Sequence, residues 1–469
     1  MATSTNTLLQ EIEDFCRLTG VAESTFGRRA INDGKLCARL RRGKDVTLAT
    51  AERARKYMQR SLAARNGESH ARHQQYSSAR VPAGAQDGDH QNRGIPTRPF
   101  RFYDNRQKYL AFINTCNEKW VIAERASREL AHVKPSPPAV RLFDAGMGDG
   151  TILSNVVRAM HERFPTLPFY IVGKEISLED IRLSLEKLPD RFVEHPASVV
   201  VFTNLYYVEA PWLMPRDVTK AAALNWKEVE LDGRSAYGFG HQLRALDDYL
   251  VDAWQAVANP KTGNPAYVRP SVLIMYRRDH RFLLDTVIPQ PGRACANYDL
   301  VIASQPWRAR MHAEFKARHV LSPLVRSLVP GGRMLAVQSF GQDPGLEIIQ
   351  RVWPGENPFI VNRHELLRTL KAELGNEARN YNFNAYSDAK SIFQYRMHTL
   401  PDEIADSIGT STLFAAWNAA IYVAQIEDQK LQDVFASPDY LDATSDVLRK
   451  HNGLWFNDES FVVSRRAAS

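Results

Sequence analysis

Seven residues, DAGMGDG from Asp144 to Gly150, constrain this 469-residue chain more than any other segment. They follow an apolar run, Val140 to Phe143, that reads as a strand. They precede a stretch from Thr151 to about Arg163 whose apolar spacing is that of a helix. Glycine at every second position lets the backbone bend tightly and lets a ligand approach the main chain with no Cβ in the way. The dinucleotide fingerprint does not fit, because Thr151 stands where its third glycine or alanine is needed. Beyond this turn, apolar runs of four to six residues alternate with amphipathic helical stretches, which implies a mostly parallel sheet covered by helices. Ligands of such sheets bind beyond the carboxyl ends of the strands.

Three further segments follow in order. A second strand, Phe169 to Val172, runs into GKEIS and places Glu175 just past its end. A later strand gives YDLVIASQPW, Tyr298 to Trp307, and a helical stretch then leads to LVPGGRMLAV, Leu328 to Val337. Together the four segments resemble the class I S-adenosylmethionine (SAM)-dependent methyltransferases, over about residues 104 to 345 in pieces. The resemblance implies an α/β fold, a Rossmann-like seven-stranded methyltransferase sheet with helical insertions, and SAM as cofactor. It implies that Asp144 and the Gly146, Gly148 and Gly150 backbone hold the methionine part, that Glu175 grips both ribose hydroxyls, and that Asn204 in VVVFTNLYY ends the third strand near the adenine. A carboxylate suits a vicinal diol because it has two oxygens to accept with.

Ser304-Gln305-Pro306-Trp307 resembles the motif of DNA and protein amino-methyltransferases, in which Asp, Asn or Ser precedes two prolines and an aromatic residue. There the first side chain and a backbone carbonyl accept from the target amino group while the ring stacks on the planar acceptor. By that resemblance Ser304, Pro306 and Trp307 are the catalytic candidates. Gln305 replaces the first proline and halves the rigidity. The other reading is that Ser304 merely ends a strand and Trp307 packs beneath the next helix.

The family pattern is stretched between Asp144 and Asp299, so an insertion is expected at about 212–297, with an amphipathic helix (Leu243, Leu246, Tyr249, Leu250, Ala253, Trp254) and a strand-like Val272 to Tyr276. It either caps the substrate site or packs elsewhere. One long helix is expected from Asp104 to Leu130. In a C-terminal elaboration, 345–469, helices are expected at Leu346 to Val352, His364 to Leu374 and Leu413 to Ile426. Ser391 to Met397 and Ser460 to Val463 are candidates for the closing strand pair, and Leu454 to Ser464 for a hairpin.

Charge separates a front end from this body. Residues 1–60 hold 12 Lys/Arg against 7 Asp/Glu, residues 61–100 hold 5 against 3, and the remainder 43 against 43. A small all-α basic domain, 1–60, is therefore expected, then a flexible linker, 61–100, poor in large apolar residues, then the methyltransferase domain, 101–469. Leu8 to Thr19, a turn at Gly20, and Ser24 to Asn32 resemble the helix-turn-helix of repressor-type DNA-binding domains. That resemblance puts Ser24, Thr25, Arg28 and Arg29 on the reading face, with Lys35, Arg39, Arg41, Arg42 and Lys44 toward phosphates. A helical bundle used for protein contacts satisfies the same spacing.

Cys16, Cys37, Cys116 and Cys295 form no Cys-x-x-Cys pair, so neither a disulfide framework nor a zinc site is expected. The longest apolar stretch, Thr412 to Ala424, is shorter than the roughly 18 residues of a membrane span, and a cytoplasmic location is expected. The leading functional expectation is SAM-dependent methyl transfer to an unresolved acceptor, DNA or another nucleic acid among them. Methylation of a small metabolite beside a regulatory DNA-binding module, and a transcription factor that only senses SAM, are the alternatives.

Overall fold

Strands that are buried on both faces need near-continuous apolar runs. Here VRLFD, FYIVGK, SVVVFT and YDLVIAS supply them as β1 (Val140–Asp144), β2 (Phe169–Lys174), β3 (Ser198–Thr203) and, further on, β8 (Tyr298–Ser304). The computed structural model describes residues 3–19, 22–31, 33–42, 46, 50–51, 53–58, 106–259, 264–294, 296–399, 402–405, 408–434 and 438–467. The linker expected at 61–100 lies outside them. The chain divides into two units, Met1–Ile95 and Pro96–Ser469.

In the second unit, β1 pairs in parallel with β2 on one side (Leu142↔Ile171) and with β8 on the other (Leu142↔Leu300). β2 carries β3, and β8 carries β9 (Leu328–Ser339), all parallel. β12 (Trp455–Arg465) runs antiparallel to β9, pairing Val462 with Leu335. Two short strands, β10 (Tyr381–Asn384) and β11 (Ile392–Arg396), share the far edge of β12. Reading the five parallel strands as first to fifth, the order is 3-2-1-4-5, then the antiparallel β12, then the β10 edge. This is a doubly wound, Rossmann-like order. The order reverses between β1 and β8, so the switch point lies at their carboxyl ends.

The insertion lengthens the sheet. β7 (Ser271–Arg277) adds antiparallel to β3, and β4 (Asn225–Leu231) adds beyond it; β5 (Ala256–Ala258) and β6 (Pro265–Tyr267) form a separate pair. Its amphipathic stretch folds as two helices, Ala236–Arg244 and Asp247–Ala253. Phe239, Leu243, Leu250 and Trp254 join the core on one face of the sheet, so these helices pack as an elaboration of the fold.

Two expectations are corrected. The long helix at 104–130 is two, Arg106–Thr115 and Glu118–Glu129, because the Asn117 side chain accepts from Arg396 N–H at 2.7 Å while its own N–H donates to Arg396 O at 3.0 Å. That pair of bonds replaces a helical turn. Leu454–Ser464 is not a hairpin but part of one long strand, β12, whose two edges are taken by β9 and by β10 and β11. The strand at Tyr381–Asn384 and the helix Asp439–His451 were not foreseen.

The first unit is helical: α1 (Thr3–Thr19), α2 (Glu23–Ile31), α3 (Leu36–Arg41) and helical residues at 50–51 and 53–58. Leu8, Ile12, Phe15, Phe26, Leu36 and Leu40 form its core. Gly27, inside α2, is needed where the chain folds back: a Cβ there would stand 2.2 Å from Asp33 O. Gly27→Ala is therefore expected to cost this unit about 2 kcal/mol or more. Amide exchange in the full-length chain checks it: protection across Leu8–Met58 should fall more than tenfold while the sheet keeps its own.

Candidate functional site

The body helices around the site are α4 (Arg106–Thr115), α5 (Glu118–Glu129), α6 (Thr151–Arg163), α7 (Leu178–Glu194) and α8 (Thr410–Val423). The turn from β1 to α6 is shaped by its glycines. Gly148 and Gly150 have φ of +53° and +76°, values at which a side chain is strained. A Cβ on Gly150 would also meet Ser184 Oγ at 2.7 Å, while one on Gly146 would find nothing nearer than Ser304 O at 3.8 Å and Tyr207 Oη at 3.9 Å. The turn is thus packed against α7 on its outer side and open at Gly146, toward the strand ends.

Asp144 ends β1 with 1% of its surface exposed. Its Oδ1 accepts from Gly146 N–H at 3.3 Å, and Oδ2 is buried with no hydrogen-bond partner. Burial pushes its carboxyl up to about 7, against the pull of the Gly146 N–H and of Lys119. Asp149, in contrast, accepts from Thr151 Oγ1 and lies 3.5 Å from Lys187 Nζ. Burial would raise it, but Lys119, Thr151 and Lys187 together hold it below the usual carboxylate range.

Glu175 ties the end of β2 to the glycine turn. Its Oε1 accepts from Ile176 and Ser177 N–H at 2.7 and 2.9 Å, and its Oε2 accepts from Gly148 N–H at 3.0 Å. Trp254 of the insertion donates its indole N–H to Glu175 O at 2.9 Å. Asp144, Gly146, Gly148, Gly150 and Glu175 therefore lie together at one turn.

Two residues do not take the part expected of them. Asn204 is buried just past β3, and both ends of its amide are committed: Nδ2 donates to Ala253 O and Arg269 O, and Oδ1 accepts from Ser271 N–H. It locks the insertion to β3. Trp307 is 8% exposed in the core, donates to Gln338 Oε1 at 3.0 Å, and has Lys316 Nζ 5.5 Å from its ring centroid. Its faces are covered, so the stacking role is corrected to a packing role. Pro306 O accepts from Tyr207 Oη at 3.0 Å. Ser304, 7% exposed, ends β8 with its main chain beside Gly146.

Sequence reasoning missed Tyr109, Lys119 and Tyr207. Tyr109 Oη accepts from Asp149 N–H at 3.3 Å, and Lys119 Nζ lies 5.6 Å from the Tyr109 ring centroid. Burial would lower the Lys119 ammonium, but Glu118 and Asp149 hold it above its usual range. A cleft of about 390 Å³ beside the turn, lined by Lys119, Asp149, Thr151, Asn155, Arg158 and Lys187 among others, leads from solvent to these two charges. No periodicity marks such residues: Tyr109 and Lys119 sit on two helices that precede the first strand, and Tyr207 in the turn after β3.

In the first unit, Ser24 and Arg28 are exposed and Thr25 is half-buried. The Arg29 side chain and Lys44 lie outside the described residues. Arg39 pairs with Asp33 at 2.6 Å, and Arg41 bridges Glu13 and Glu23, so two of the residues expected on phosphates are engaged within the unit.

No protein-family model matches the chain, and no curated protein does. Among solved structures, it is similar to one described as a sarcosine dimethylglycine methyltransferase from Galdieria sulphuraria, with 10% identity, TM-score 0.30, and 74% of this chain and 86% of that one covered. It is also similar to a geranyl diphosphate methyltransferase in complex with GPP and sinefungin (13%, 0.26, 74% and 79%). A third is described as a class I S-adenosylmethionine-dependent methyltransferase from Listeria monocytogenes (11%, 0.25, 100% and 89%). The likeness is distant, and the sheet order rests on this chain's own hydrogen-bond ladders.

Asp144 yields a prediction with a sign. Its folded value lies above its unfolded one, so the stability it contributes is complete below about pH 4 and is lost as pH rises through about 7. Asp144→Asn should therefore stabilise the protein increasingly from pH 4 to pH 8, by an amount on the order of 2–4 kcal/mol at the upper end. Chemical denaturation at a series of pH values checks this.

Proposed function

We propose that the body is a SAM-dependent methyltransferase. The observation that carries the reading is the cradle at the switch point: a glycine turn open at Gly146, a buried Asp144 with an unpaired oxygen, and Glu175 held on the Gly148 amide. The donor set fits SAM. The Asp144 carboxylate would hold the methionine ammonium, Lys119 its carboxylate, and Glu175 the ribose hydroxyls, for which its Oε2 retains a lone pair. When bound, SAM supplies an electrophilic methyl on a sulfonium. The protein needs no nucleophile of its own; it aligns the acceptor, excludes water and takes up a proton. Ser304, whose main chain lies beside Gly146, and the Pro306 carbonyl, which accepts from Tyr207, are the candidates for orienting the acceptor, and Trp307 and Asn204 keep the walls in place.

The basic first unit supports a second activity, DNA binding through Ser24, Thr25, Arg28 and Arg29, which would bring the enzyme to nucleic acid or regulate its own synthesis. Among the described residues no helix is long and apolar enough to cross a membrane, and the free Cys16, Cys37 and Cys116 favour the reducing cytoplasm.

Calorimetry with SAM and with its demethylated product tests the cradle. Wild-type protein should bind both, and Glu175→Ala should weaken SAM by about 10- to 100-fold, as expected for lost charged hydrogen bonds. No heat with wild type overturns the reading, and binding without transfer of a labelled methyl to any acceptor favours a sensor. For the first unit, Arg28→Ala should reduce the salt dependence of DNA affinity by about one counterion; an unchanged slope removes Arg28 from that interface.

A further inference from the structure

Helix α6 buries Ile152, Leu153, Val156, Val157 and Met160, and that stripe leaves Thr151, Ser154 and Arg158 together on another face at helical spacing. The cleft of about 390 Å³ lies over this polar face. Trp120 of α5 and Lys187 and Arg191 of α7 also line it. Its volume falls within the span of small-ligand sites, roughly 300–1,000 Å³. Asp144, Gly146, Gly148, Gly150 and Glu175 are not among its lining residues, and of the groups assigned to the cofactor only Lys119 reaches it. It is a second cavity, behind the glycine turn.

The charges of this cleft are uneven. Four cations, Lys119, Arg158, Lys187 and Arg191, line it against one acid, Asp149. That acid is already answered, since Thr151 Oγ1 donates to it and Lys187 Nζ lies 3.5 Å away. Glu118 answers Lys119, so the surplus rests on the two arginines. Glu194 accepts from Arg191 Nη1 at 2.5 Å and stands 3.8 Å from Arg158 Nε. One carboxylate thus serves two guanidinium groups. Arg191 Nε is buried with no hydrogen-bond partner, and the Arg158 side chain is 57% exposed. Gly150 caps α6 with no side chain, which leaves the positive end of the helix dipole beside the same wall. Trp120 is 60% exposed and brings an aromatic face to the cleft.

We infer that this cleft binds a nucleoside monophosphate, with its phosphate on Arg158 and Arg191 and its base on Trp120. Guanidinium groups match phosphate because their N–H donors form a planar fork, and a helix N-terminus favours the same charge. An exposed indole offers a stacking surface to any planar base. Between the two ends the wall is polar: Ser154 brings a hydroxyl, and Asn155, whose Nδ2 donates to Thr151 O at 2.8 Å, keeps Oδ1 as an acceptor for a sugar hydroxyl. A lone inorganic anion would leave Trp120 uncovered, and a neutral nucleoside would leave the arginine surplus unmatched. The binding does not rest on the methyltransferase reading.

The test is calorimetry on the full-length chain with AMP, ribose 5-phosphate, adenosine and a single-stranded oligonucleotide. Wild type should bind AMP, and adenosine at least about tenfold more weakly. Arg158→Ala should weaken AMP and ribose 5-phosphate alike by about 10- to 100-fold, and Arg158→Lys should restore only part, because an ammonium lacks the fork. Trp120→Ala should weaken AMP at least about fivefold and leave ribose 5-phosphate within twofold. Both side chains are largely exposed, so each variant should melt as wild type does. Saturating SAM, and separately Glu175→Ala, should leave AMP affinity within twofold. No heat with AMP overturns the inference. So do unchanged AMP affinity in Arg158→Ala, adenosine binding as tightly as AMP, displacement of AMP by SAM, or Arg158-dependent binding of the oligonucleotide without binding of AMP. If SAM gives no heat, the cofactor reading fails, and the AMP titrations still decide what the cleft holds.

Discussion

The hydrogen bond from Gly148 N–H to Glu175 Oε2 is the contact on which the rest of this body depends. A strand that must become a helix within six residues leaves main-chain donors unpaired, and a buried unpaired donor is costly. Glu175 supplies the acceptor from the neighbouring strand, and its other oxygen fastens the start of the next segment through Ile176 and Ser177. One carboxylate therefore sets both loops at the switch point. The insertion is drawn to the same place, because Trp254 donates to the Glu175 carbonyl.

What was legible in the sequence is what local pattern determines. Strands covered on both faces are unbroken apolar runs, so β1 and β2 could be read to within two residues and β3 and β8 could be located. The glycine turn could be read because its positive φ values admit little else at Gly148 and Gly150. Illegible were features decided by partners far away in the chain. Nothing near Asn117 says that it will bond Arg396 and break a helix, and nothing near Leu454 says that β9 and β11 will draw the segment out into one strand.

Trp307 shows how a motif misleads. An aromatic residue after a proline at a strand end reads as a stacking platform, yet its indole N–H found Gln338 on β9, and the ring went inward. Asn204 went the same way, since a buried amide at a strand end satisfies all its bonds by bracing an insertion. The bond between Gln305 and Asp458 escaped notice for the opposite reason. Each residue is unremarkable in its own stretch of sequence, and only the sheet order brings β12 beside β9 and so beside Gln305.

The bonds between Asn117 and Arg396 tie two distant stretches of the chain into one mechanical piece. Arg396 belongs to β11, which is laddered to β12. The start of α5, which carries Lys119 beside Gly148, thus leans on that ladder. Fraying at β11 would loosen α5 and with it one side of the glycine turn, so local opening far from the switch point reaches the cradle.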